Sequence, residues 1–494
     1  MDININRQSQ TPIYKQIVCS IKTMIISNEL VPGYKLPSER VLAEELSVHR
    51  NTVVKAYGEL VSEGLIESSR KKPRGYFVKT NRLDDETKSK QNFFPLEKMI
   101  QYNFNDREKM FLDIFGESNT KDYISFGGII MDKKVNPTEG IANIFRDMFN
   151  ECDSEDFMGY SQYETERMKR NICNILSSEN MYINPRNIQI VSETNQALNY
   201  LMTLYLKPGD SIVVEEPIVP DNASIFRNKE LKILTVPMEE DGINITALEN
   251  VIKEYKPKFI YTMPNYHNPT GIVMSLEKRI KMLQIAEKYC IPIIEEDSQR
   301  DFRYTCNKIP SLFSLDNKKM VVYIDSFTLS FPYGIKTGYI VGPKELINVL
   351  GRLIVVDETF VSNMGQYMLN EYIERGLYSE HIKALGNHYE KKRDLLCSEL
   401  DKIAYTGIEY IKPHGGLLLW CTIPEDINEK QLFKVAERKG LLIMPGFLFY
   451  PNGYQGKGHI RLCFSNVTDK EIVEGVKILE KSLMECKFEE EIYE

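Results

Sequence analysis

The chain has 494 residues, 42% hydrophobic and 27% charged, enough for about three ordinary domains or one large α/β unit with companions. That balance excludes a disordered chain. No run approaches the roughly 18 uninterrupted apolar residues of a membrane span, and MDININRQSQ lacks a signal peptide's basic-then-apolar pattern, so a cytoplasmic location is expected. The net charge of −8 argues against a nucleic-acid binder only if it is uniform, and it is not: residues 1–80 hold 12 Lys and Arg against 8 Asp and Glu, a local +4 that leaves about −12 elsewhere.

TPIYKQIVCSIKTMII sets Ile13, Ile17, Ile21 and Met24 or Ile25 at helical spacing, which predicts an amphipathic helix. Pro32-Gly33 marks a turn, and Ser38 is placed to cap a short helix ending near Leu46. In VHRNTVVKAYGELVSEG a third helix puts Val53, Tyr57, Leu60 and Val61 on one face. His49 and Arg50 fall in its first turn, Asn51, Thr52 and Lys55 lie on the other face, and Gly64 ends it. LIESSRKKPRGYFV then reads as a hairpin with a basic tip of Arg70, Lys71, Lys72 and Arg74 before Gly75. Together these pieces form a winged helix-turn-helix, whose third helix enters the major groove while the wing follows phosphates.

PIYKQI, PGYKLPSER and HRNTVVKAYGELVSEG, in this order and spacing, resemble the N-terminal domain of GntR-family regulators. The resemblance implies double-stranded DNA contacts from Arg40, His49, Arg50, Asn51, Thr52, Lys55, Lys71, Lys72, Arg74 and Gly75. Arg50 is expected to read a base, because a guanidinium bridges guanine O6 and N7, and the wing lysines to meet phosphate. His49 stands where the family often has Ser, which leaves base preference there open.

The stretch from residue 80 to about 91 is polar and charged, as a tether is, and apolar residues return from Phe93 as a candidate docked helix; the linker is set at 80–121. From residue 122 strands alternate with helical segments: IQIVSE, DSIVVEEP, KILTVPM, KFIYTMP, IPIIEED, VVYIDSF and TGYIVGP. The pattern predicts an α/β fold with a mostly parallel, doubly wound sheet and a ligand crevice at the carboxyl ends of its strands. From residue 386, GGLLLWCTIP and HIRLCFSN belong to a smaller α+β domain. The nine cysteines are scattered without a C-x-x-C pair and the six histidines are dispersed, so reduced thiols and no metal site are expected.

SETNQAL, VEEPIVP, PNYHNPTG, IIEEDSQRDFRY, SFTLSFPYGIKTGY, IMPGFLF and HIRLCFS resemble the fold-type I aminotransferases over residues 122–494. Behind a GntR-like head of residues 1–79, the chain resembles the MocR subgroup of regulators, with a large domain over 122–385 and a small one over 386–494. The family cofactor, pyridoxal phosphate, requires an amine for its imine, a carboxylate for its ring nitrogen, and N–H groups with a cation for its phosphate. The family's S-F-S-K aligns with Ser326-Phe327-Thr328-Leu329, so the imine lysine is Leu329. Lys336 replaces the phosphate-pairing Arg, Glu296 the ring-nitrogen Asp, Ser298 the ring-oxygen Tyr, and Val219 the stacking aromatic. Asn268, Ser326 and the Thr194-Asn195 turn are retained as an anion cradle. Arg461 matches the arginine that clamps a substrate carboxylate. Two alternatives remain open: Arg461 pairs with an acidic neighbour, or Glu296 faces solvent.

No covalently bound cofactor is therefore expected, with pyridoxal phosphate implied by resemblance alone. The expected function is a homodimeric transcription regulator whose aminotransferase-like part is catalytically inactive and senses a small anionic or amino-acid effector. An active enzyme with a DNA-binding head and a ligand-free dimerisation scaffold are the alternatives.

Overall fold

The computed structural model describes residues 3, 5–7, 11–26, 30–31, 33–69, 75–79, 104–118, 122–151, 162–304, 308–358, 361–453 and 458–491. The chain divides into two compact units, Met1–Ile100 and Gln101–Glu494.

The first unit is the expected winged helix-turn-helix. Helices α1 (Ile13–Ile26), α2 (Glu39–Glu45) and α3 (Arg50–Ser62) precede the antiparallel hairpin of β1 (Ile66–Ser69) and β2 (Gly75–Val78). Its core is the apolar stripe of each helix: Ile17, Ile21, Leu42, Val53, Ala56, Tyr57 and Leu60 are all fully buried. Val61, expected in that stripe, is 38% exposed, and Ala56 takes the inward position instead. Ser38 caps α2 through its hydroxyl, which accepts from Val41 N. The α2–α3 turn passes through Ser47 at φ 51, and the Tyr57 hydroxyl donates to the Pro37 carbonyl at 2.9 Å, fixing α3 against the approach to α2.

The second unit is built on an eight-stranded sheet in the order β4-β11-β10-β9-β8-β5-β6-β7. These strands are β4 (Ile188–Val191), β5 (Ser211–Glu216), β6 (Lys232–Glu239), β7 (Gly242–Ile243), β8 (Phe259–Thr262), β9 (Ile293–Glu296), β10 (Val321–Ser326) and β11 (Gly338–Val341). Every strand expected from the sequence is present. β10, β9, β8, β5 and β6 pair in parallel, whereas β11 runs antiparallel between β10 and β4, and β7 closes the far edge antiparallel to β6. Strand alternation divides the core: Ile212, Val214, Ile294 and Ile324 face the layer that includes the helix Thr194–Tyr205. Val213, Ile260, Ile293 and Val321 face the helices Ile245–Tyr255 and Leu276–Tyr289.

The smaller lobe carries the antiparallel sheet β12 (Glu409–Tyr410), β13 (Leu418–Thr422), β16 (His459–Cys463) and β15 (Met444–Pro445). Two features depart from the expected boundaries. The helix Leu377–Lys402 is continuous across residues 385 and 386. The strand β3 (Ile124–Ser125), assigned by sequence to the large domain, pairs in parallel with β14 (Leu441–Leu442) of the small lobe. Within the stretch set down as linker, a helix at Asp106–Glu117 opens with a capping box, Asn105 to Glu108, and packs on the second unit. No helix is long and apolar enough to cross a membrane among the described residues.

Truncating Leu42, which the head's three helices enclose, is expected to lower the opening free energy of α1–α3 by about 2–5 kcal/mol. Amide hydrogen exchange on the full chain measures it.

Candidate functional site

In the head, the helix-turn-helix presents Arg40, His49, Arg50, Asn51 and Lys55 to solvent, with Thr52 half-buried. His49 does not sit inside the first turn of α3; it is the N-cap, and its Nδ1 accepts from Asn51 N at 3.2 Å. The Lys55 ammonium lies 3.9 Å from the centre of the Tyr14 ring. Lys71, Lys72 and Arg74 lie outside the described residues. Gly75 begins β2 at φ 148, a conformation that other residues rarely adopt, and a Cβ there would come 3.0 Å from Lys35 Cε. Lys35 thus rests against the base of the wing, a cation that sequence reasoning passed over.

In the second unit, the strand ends gather the predicted crevice residues. β9 ends at Glu296, which is 5% exposed rather than facing solvent. The Asn222 amide donates to the Tyr261 hydroxyl, which donates to Glu296 Oε2 at 2.6 Å, while Ser298 donates to Oε1 at 3.0 Å. The Thr194 hydroxyl donates to it as well. Burial pushes the Glu296 carboxyl up against these donors, and the charge of Glu193 adds to the push. Tyr261 and Asn222 were not anticipated, because their role follows from β8 lying beside β9 in the sheet.

Ser326 is buried at the end of β10, followed by a turn that returns the chain to β11 through a bond from Phe327 N to the Thr337 carbonyl. Leu329, in this turn, packs against the same apolar cluster that contains Val219, Phe302 and Phe449. Hydrocarbon thus fills both positions that the sequence resemblance aligns with the family's amine and its stacking ring. Lys336 is exposed, its ammonium 4.9 Å from the centre of the Tyr333 ring, and Asn195 is exposed on the helix that follows β4.

Arg461 is 2% exposed on β16. One terminal nitrogen donates to Asn268 Oδ1 at 3.2 Å, the other to the Gly127 carbonyl, and the guanidinium lies 5.1 Å from the Phe449 ring centre. A Cβ at Gly127 would stand 2.8 Å from Ser118 Oγ and 2.9 Å from Ile114 Cγ2, so only glycine lets this backbone approach. The acidic neighbour considered for Arg461 does not pair with it: Asp221 is near enough for its charge to be felt, but among the described residues no carboxylate lies within ion-pair distance, and the Arg461 Nε has no hydrogen-bond partner. Burial lowers its pKa to about 10, against weaker opposing pulls from Cys463 and then Asp221.

Beneath Asn268, the His267 ring bonds the Thr270 hydroxyl at 2.8 Å and stands 3.5 Å from Glu215, which also accepts from Thr262 Oγ1 and Met263 N. Burial holds this histidine neutral, with a pKa lowered to about 3. The turn that carries Asn268 is thereby fixed from below.

These residues do not fit pyridoxal phosphate. By the resemblance its aldehyde would meet Leu329 and its ring nitrogen a buried carboxyl pushed toward the neutral form, and the cation expected for its phosphate is exposed over Tyr333.

Residues 136–479 match the family model for aminotransferase class I and II, and residues 13–78 that for the gntR family of bacterial regulatory proteins. The HTH-type transcriptional regulator YisV of Bacillus subtilis is 25% identical over 474 residues, 96% of each chain. The "Probable rhizopine catabolism regulatory protein MocR" of Rhizobium meliloti is 23% identical over 482 residues, 97% of this chain and 95% of that one. Among solved structures, the kynurenine aminotransferase of Pyrococcus horikoshii is 26% identical with a TM-score of 0.72, over 80% of this chain and 97% of that chain.

Glu215 is fully buried and its pKa is raised to about 7, chiefly by burial. The folded chain therefore keeps a proton that the unfolded chain releases, so this contribution to stability is complete below about 4.5 and lost as pH rises toward about 7. Denaturant unfolding across that window is expected to show a decline of up to about 3 kcal/mol that Glu215→Gln removes.

Proposed function

The chain belongs to the class I and II aminotransferase family and is a MocR-type regulator of the GntR family, and from this premise we propose that its aminotransferase-like part is a sensor without catalytic turnover. The observation that carries the reading is Arg461: a guanidinium in the core of the crevice whose Nε has no hydrogen-bond partner, with no carboxylate within ion-pair distance among the described residues. A small carboxylate, from an amino acid or a related acid, completes its pairing. Leu329 has no nitrogen to form an imine or move a proton, which supports the absence of turnover.

In this reading two chains pair through their aminotransferase-like parts and present two winged helices to two half-sites. Arg50 and Asn51 meet base edges, Arg40, Thr52, Lys55 and the wing meet backbone, and His49 holds the entry to α3. The effector regulates DNA binding to the extent that it binds the DNA-competent and DNA-incompetent arrangements with different affinity.

Calorimetric titration of the full chain with amino acids and small carboxylates tests the crevice. At least one is expected to bind, and Arg461→Met to weaken it about tenfold to a hundredfold, the range for a charged hydrogen bond. Binding by none favours the scaffold reading, and a lysine adduct trapped by borohydride from the unmodified protein with pyridoxal phosphate favours the enzyme. On the DNA side, Arg50→Ala is expected to cost about 1–3 kcal/mol on the specific site and to relax one base preference. Competition binding with single-base variants measures this; equal losses on every sequence contradict base reading.

A further inference from the structure

The helix Thr194–Tyr205 starts where β4 ends, and the positive end of its dipole is a natural seat for a phosphate. That end already has an anion. Glu193 is the N-cap residue, in extended backbone, and its Oε2 accepts from Thr194 N at 3.2 Å. The point where a Cβ on Gly338 would stand lies 3.2 Å from Ser326 Cβ and 3.3 Å from Glu193 Cα. Glu193 is thus beside the serine that ends β10, on the same sheet edge as Glu296, where its charge is felt. Among the described residues, Glu193 has no ion-pair partner, and Lys336, the cation expected here, lies over Tyr333.

We propose that Glu193 closes the phosphate end of the crevice with the chain's own carboxylate, so that the ligand is a carboxylic acid bearing no phosphate. This deepens the sensor reading and rests on it for the carboxylate end. The Glu193 side chain serves the helix N-terminus as a bound anion would, and an arriving phosphate must displace it or meet it as a like charge. Replacing Leu329 with an amine is therefore insufficient by itself to restore a phosphorylated cofactor.

Pyridoxal phosphate and pyridoxal, which differ only in the phosphate, serve as paired probes on full-length protein. In a Leu329→Lys background both aldehydes have an amine to meet, and binding is read from visible absorbance during titration and after dialysis. Adding Glu193→Gln, which removes the charge and keeps an acceptor, or Glu193→Ala is expected to tighten pyridoxal phosphate about tenfold or more and to change pyridoxal less than about twofold. Thermal unfolding of each variant establishes that it is folded. Equal tightening of both probes, or tightening of neither, overturns the proposal. The carboxylate titration at Arg461 uses no Glu193 variant, so failure of the sensor reading is seen separately from failure of this one.

Discussion

A guanidinium sealed in a protein interior is costly unless its charge is answered, and the crevice is organised around one that is answered only in part. Arg461 reaches the second unit's larger lobe through Asn268, the segment before it through the Gly127 carbonyl, and an aromatic face at Phe449. Neutral partners spread the charge but do not cancel it, and burial holds its pKa below the usual guanidinium range. The turn bearing Asn268 is braced by His267 and Glu215, and the segment bearing Gly127 by pairing of β3 with β14. Both lobes are thus committed to holding one positive charge at their junction.

Acids gather at the same strand ends. Glu193, Glu216, Asp221 and Glu296 stand at or just beyond the carboxyl ends of β4, β5 and β9, and burial raises the last three. Glu216 keeps a buried oxygen without a partner, and Asp221 feels Arg461 without bonding it. A site with a buried guanidinium at one end and acids that resist further negative charge at the other favours a ligand whose negative charge is confined to one end. A phosphate added at the other end would add repulsion to the loss of the imine.

Much of this was legible in the sequence, for physical reasons that differ by element. The head's helices were visible because their apolar residues recur at a turn's spacing, and Ser38 because a hydroxyl before an acidic first turn has few other uses. The strands of the large sheet were visible because both faces are covered and they run almost wholly apolar. What stayed hidden depends on partners distant in the chain. That Arg461 bonds Asn268 and the Gly127 carbonyl, that Tyr261 reaches Glu296 from the adjacent strand, and that two-residue β3 pairs with β14 more than 300 residues later are facts of packing that leave no local pattern. Val61 was misplaced because a helical stripe has edges, and Ala56 fitted the tighter interior.

The helix Asp106–Glu117 touches both lobes of the second unit. Arg107 donates to the Tyr450 carbonyl on the small-lobe side, whereas Glu108 is bound by Ser224 and Arg227 on the helix Pro220–Asn228, which also carries Asp221. Phe111 packs edge-on against Phe449, the ring beneath Arg461. A helix bonded to both sides of a cleft cannot keep all of these contacts if the cleft changes width, because buried ion pairs and packed rings tolerate little displacement. A shift of Arg461 relative to the strand ends is therefore felt by this helix, through Phe449 and Phe111 on one side and Glu108 on the other.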